Sequence, residues 1–152
     1  MPALHIEHTV TLKNQETVHT RVLNYINNSD TDVVETLAFQ LPETTISTAF
    51  SFANQEDFVS NADGSFALLL PAHQTVTATL TYIIPRALEQ NNFVYSFAEQ
   101  KQAGAFGQNT QVIFRNTLPY SPKVIAPSAT VEGKKITFNS YQDENFLGAV
   151  AF

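Results

Sequence analysis

The most regular pattern in the chain lies at residues 74–85, QTVTATLTYIIP. Val76, Ala78, Leu80, Tyr82 and Ile84 fall on one side of an extended backbone, and Thr75, Thr77, Thr79 and Thr81 on the other. Successive strand side chains point to opposite faces, so this alternation predicts a strand with one face on a core and one in water. Threonine is β-branched and suits the solvated face of a pleated surface. A helix would scatter the same threonines around its cylinder. Leu80 and Tyr82 are therefore expected to be buried, and Thr79 and Thr81 exposed.

Other segments repeat the pattern less cleanly. Leu4, Ile6, Val10 and Leu12 alternate with polar residues in a first strand whose apolar face is interrupted by His8. Asn14-Gln15-Glu16 reads as a short turn. Residues 18–26 are apolar on both faces in part, which suits a central strand or a crossing between sheets. Asn27 to Asp30 is dense in turn formers. Val33, Glu35, Leu37, Phe39 and Leu41 alternate up to Pro42, with Glu35 expected near the wet end of that face. Residues 46–52 form a shorter strand. Asn61-Ala62-Asp63-Gly64 and Glu132-Gly133-Lys134-Lys135 each separate two apolar runs, as hairpin turns do.

Residues 85–92 lack periodicity and read as a linker with at most one helical turn at 86–89. Beyond it, strands are expected at 93–97, 110–114, 130–131, 136–138 and 146–152, and residues 100–109 read as a loop with Gly104 and Gly107. Three prolines confine residues 118–128 to loop or edge strand, because proline cannot donate to a ladder. The whole reads as an all-β chain of about 11–13 strands, an immunoglobulin-like antiparallel β-sandwich in two packed parts. The parts are residues 1–86 and residues 90–152. The second is short for a core of its own, so a sheet or interface shared with the first would complete it.

Composition narrows the function classes. The chain has 152 residues, 12 Phe and 5 Tyr, enough to bury a core without a metal or disulfide. Cysteine is absent, which removes disulfides, thiolate nucleophiles and Cys-based zinc sites. Residues 1–86 hold nine acidic side chains against three basic ones, whereas residues 87–152 hold five of each. The net charge of −6 repels phosphate backbones, so nucleic acid is not an expected partner. No apolar run reaches the ~18 residues of a membrane span, so no membrane insertion by this segment is expected. The first residues lack the layout of a signal peptide. The chain begins and ends in strand-like sequence, as a segment of a longer protein would.

The strand and Leu-Pro stop at residues 39–42, LPAHQTVTATLTYIIP at 70–85 and YSFAEQKQ at 95–102 together carry a resemblance. So do residues 123–125 (KVI), 136–138 (ITF) and 148–152 (GAVAF). Over residues 17–152 the chain resembles the C-terminal extracellular region of an uncharacterised membrane-anchored surface-protein family of candidate-phyla bacteria. That family continues its Gln-Lys-Gln run with Pro-Gly, where this chain has Ala103-Gly104. The resemblance implies immunoglobulin-like β structure outside the cell or on its surface, and implies no catalytic residue.

Candidate chemistry is sparse. His5 and His8 stand three apart, so on a strand they face opposite sides and cannot share an ion. His19 and His73 have no paired ligand in sequence. Asn61-x-Asp63-Gly64 matches the start of a calcium loop, but the later acidic ligands are missing, which leaves a turn. No Gly-x-Ser-x-Gly elbow or flanked carboxylate pair marks a catalyst. The expectation is therefore no catalytic, cofactor-binding or metal site, and no cofactor. Gln100, Lys101 and Gln102 are the candidate recognition loop, set against a solvated strand end. Asn27-Asn28-Ser29 is a glycosylation sequon. Lys13, Asn139 and Glu35 form a conceivable isopeptide set, although Lys13 lies on a polar face. The expected function is a non-enzymatic extracellular structural or adhesive module, a spacer or stalk unit of a larger exported surface protein. Its expected partners are neighbouring domains of the same protein. The alternative is a β-sandwich that binds glycan or protein through loops at one end.

Overall fold

The computed structural model describes residues 3–37, 41, 45–53, 58–63, 65–85, 94–99, 107–119, 121–140 and 146–152. These residues form an all-β sandwich of thirteen strands, with no helix among them. β1 (Ala3–Leu12), β2 (Glu16–Ile26), β4 (Ser47–Phe52), β7 (Thr75–Pro85), β9 (Gly107–Asn116), β11 (Thr130–Glu132) and β12 (Lys135–Ser140) make one seven-stranded sheet. Its order is β11-β12-β9-β1-β2-β7-β4. β3 (Val33–Leu37), β6 (Phe66–Leu70) and β5 (Phe58–Ser60) make a second sheet. β10 (Val124–Ala126), β13 (Phe146–Ala151) and β8 (Val94–Glu99) make a third.

Register follows from the first turn. The Lys13 N–H donates to the Glu16 carbonyl at 3.0 Å, closing a loop of Asn14 and Gln15. That pairing places Leu12 opposite Thr17 and Leu4 opposite Tyr25. β2 then lies between β1 and β7, so its mixed apolar faces belong to a central strand. β7 behaves as its alternation predicts: Val76, Ala78, Leu80 and Tyr82 are buried. Thr79 and Thr81 differ in degree, being half-buried and not fully exposed, because they sit in the middle of a broad face.

β1 also pairs with β9, and this pair is parallel, from Ala3 opposite Gly107 to Leu12 opposite Asn116. Strands from the two parts of the chain thus share one sheet. β9 starts at Gly107, so residues 107–109, expected in a loop, belong to a strand. Of the linker expected at 85–92, Pro85 is the last residue of β7, and the rest, including the helical turn expected at 86–89, lies outside the described residues.

Both small sheets cover the same face of the large one. Even-numbered β1 residues point to that face, and they serve two separate cores. Leu4 and Ile6 join Leu23, Tyr25, Val76 and Ala78 beneath Leu37, Leu68 and Leu70 of the β3–β6–β5 sheet. Val10 and Leu12 join Val112, Phe114, Ile136 and Phe138 beneath Val150 and Phe152. Glu35 lies mid-strand in β3, half-buried opposite Leu68, and not at a wet strand end.

Candidate functional site

The two cores lie on one diagonal of the inner face, and polar residues fill the other. At one polar corner, Gln108 and Thr110 of β9 are buried, and the Gln108 amide donates to the Thr110 hydroxyl at 3.2 Å. At the opposite corner β2 contributes Thr17, His19 and Arg21, and β1 contributes His8. His8 faces Arg21 directly, and Val10 faces His19, so the two imidazoles are diagonal neighbours across the hairpin. Such neighbours lie within reach of long or aromatic side chains.

His8 and His19 are 4% and 2% exposed. His8 Nε2 and His19 Nδ1 are 2.9 Å apart, and His19 Nε2 is 3.0 Å from Thr17 Oγ1. With both rings neutral, two proton arrangements fit. Either His8 Nε2–H donates to His19 Nδ1 while His19 Nε2–H donates to the Thr17 hydroxyl, or both bonds run the other way. The Tyr82 ring of β7 stacks on His19, with centroids 4.5 Å apart and planes 6° from parallel. A buried polar group left without a partner costs about 1–3 kcal/mol, so this chain of bonds is what allows imidazoles inside the sandwich.

Chemically the pair can share a proton or offer two nitrogens to a metal. Among the described residues, however, no group of three His, Asp or Glu side chains is placed to hold an ion. The threonine hydroxyl next to His19 anchors the ring. Tyr25, in the neighbouring core, has its phenol pushed well above the ordinary tyrosine range by burial, with the Arg21 guanidinium opposing.

Elsewhere the polar residues do structural work. Asn27 is buried, and its Nδ2 donates to the carbonyls of Thr31, Leu70 and Pro71 at 2.8, 3.0 and 3.2 Å. Its Oδ1 accepts from the Ser29 N–H and hydroxyl. In the folded chain the sequon nitrogen is thus committed to a clasp between β2 and the β6–β7 connection. His73 adopts a positive φ of 58° and places Nε2 2.8 Å from Asp30 Oδ1 in an exposed pair. Asp63, in the expected turn, accepts from the Ser65 N–H and hydroxyl, which lower its carboxyl below the ordinary aspartate range.

The isopeptide set is not brought together. Asn139 pairs with Gln111 in the sheet, and Lys13 follows Leu12, which pairs with Asn116. That offset is six strand positions, roughly 20 Å. Glu35 lies in a different sheet. Gln100, Lys101 and Gln102, the expected recognition loop, lie outside the described residues. The paired histidines escaped sequence reasoning, which compared His8 with His5 and left His19 alone. The signal that would have found them is the two-residue loop, since it sets the diagonal.

No protein-family model and no curated protein matches the chain. No helix among the described residues is long and apolar enough to cross a membrane.

Proposed function

We propose that this chain is a non-enzymatic structural module, a spacer or stalk unit of a larger surface protein, with an immunoglobulin-like arrangement exposed outside the cell. The observation that carries this reading is the position of β1. It stands at the centre of the seven-stranded sheet, in ten register pairs with β2 and ten with β9. It also supplies apolar side chains to both cores. A unit built this way passes load from its first strand into both halves together, as a spacer must. The buried histidines, Thr17 and Asn27 support the same reading, because their polar atoms bond within the protein.

The test is force spectroscopy on the chain held at its two ends, paired with a screen against hydrolase substrates and glycans. The expected result is one rupture event for both cores and no saturable response in the screen. Two well-separated ruptures would overturn the load-bearing role. Turnover that disappears in a His19→Ala variant would overturn the non-enzymatic reading, and saturable glycan binding would replace it with a recognition module.

A further inference from the structure

The two edges of the seven-stranded sheet are built differently. At one edge β11 is three residues long and carries Glu132, with Lys134 and Lys135 in its hairpin. Short edge strands and charges are standard protection against pairing with another chain. At the other edge β4 is six residues long, STAFSF, and residues 45–53 contain no charged side chain and no proline. Ser47, Thr48, Ala49, Phe50 and Ser51 are exposed in succession. Phe50 remains 39% exposed although it packs on Phe52 and Phe66, with centroids 6.5 and 6.1 Å apart, and Ile46 just ahead of the strand is 64% exposed.

We propose that β4 is a self-association edge, pairing antiparallel with β4 of a second copy of this chain so that two seven-stranded sheets join into one. The parity of the ladder supports this. The Ala53 N–H donates to the Thr77 carbonyl at 3.1 Å, so odd-numbered β4 residues bond toward β7 and the Thr48 backbone is directed outward. A two-fold axis at Phe50 then sets Thr48 opposite Phe52 of the second copy, and Phe50 opposite Phe50. On the inner face the two exposed phenylalanines cover one another, a favourable cross-strand pair. On the outer face Ala49 meets Ser51, both small.

The second copy is the occupant that suits this edge for two reasons. The strand it must supply alternates apolar inward and small outward without charge, and β4 is such a strand. Pairing there brings no like charges face to face, because residues 45–53 carry no charged side chain. The charged β11 edge disfavours head-to-tail growth, so association closes at two chains.

Light scattering coupled to gel filtration, across a dilution series, tests the proposal. The wild-type chain is expected at twice its sequence mass when concentrated and at once its mass when dilute. Thr48→Pro places a proline at an edge position directed away from β7, where it is tolerated in the monomer but blocks a new ladder. Ala49→Lys places two like charges on diagonal sites about 7–8 Å apart across the axis. Each variant is expected to halve the mass at high concentration while melting cooperatively. If Thr48→Pro fails to fold, Ala49→Lys decides alone. A wild-type chain at single mass throughout, including one that instead takes up a foreign strand, overturns the proposal. So does a dimer that survives in a folded Ala49→Lys variant.

Discussion

The core under β3 and β6 and the core under β13 have similar apolar contents but different origins. Among the described residues, the first takes all its buried members from residues 4–78. The second combines residues 112–152 with Val10 and Leu12, which come from the opposite end of the chain. The first half of the sequence can therefore close its own core, and the second closes only around a strand it does not encode. This explains how a stretch of about sixty residues, marginal by surface-to-volume scaling, becomes part of a stable sandwich. The polar corner with His8 and His19 lies between the two and belongs to neither cluster.

The largest effect is expected inside the dependent core. Phe114 is fully buried and meets Phe138 edge-on at 5.7 Å. Phe114→Ala should cost about 3–5 kcal/mol, read as a fall in denaturant midpoint. A loss under 1 kcal/mol would mean that this core contributes little.

The comparison is sharpened by two cuts in the same strand. Leu4→Ala and Leu12→Ala should each cost about 2–5 kcal/mol, since both leucines are fully buried. Hydrogen exchange should then separate them. Leu4→Ala is expected to release amides of β3 and β6 first, and Leu12→Ala those of β9, β12 and β13. Identical exchange patterns would break the distinction between the cores.

The histidine pair comes next in size. His8→Ala and His19→Ala should each cost about 1–3 kcal/mol through the partner left unsatisfied. The double variant should cost less than the sum, with a coupling of about 0.5–3 kcal/mol. Strict additivity would show that the 2.9 Å contact carries no energy.

Tyr25 gives a pH test of the first core. Its folded pKa is raised by burial above the ordinary value of 10.0, so folding favours the neutral phenol. The associated stability is complete below pH 10 and is lost as the pH rises above it. The slope is about 1.4 kcal/mol per pH unit for one such group. Tyr25→Phe should flatten the alkaline branch of the stability curve, and an unchanged slope would assign that branch to other residues.

The smallest effect is expected on the outer face. Thr79→Ala should shift stability by less than about 1 kcal/mol, against about 2–5 for Leu80→Ala beside it. Equal shifts in the two denaturant midpoints would reverse the assigned faces.

The sequence by itself determined the fold class, most strand positions and the faces of β1 and β7. Alternation is a local property, and Leu80 next to Thr79 records it without reference to any other strand. Gly133, with a φ of 62°, and the Asp63 turn likewise sit where local turn chemistry puts them. Tertiary structure alone decided which strands became neighbours. The parallel β1–β9 pair joins residues about a hundred positions apart, and nothing in either strand's periodicity specifies that partner. The same holds for His8 and His19, whose contact depends on the exact hairpin register, and for the split of one apolar face into two cores. Periodicity reports which side of a strand avoids water; the partner it meets there is set by the competition among all strands for the same buried surface.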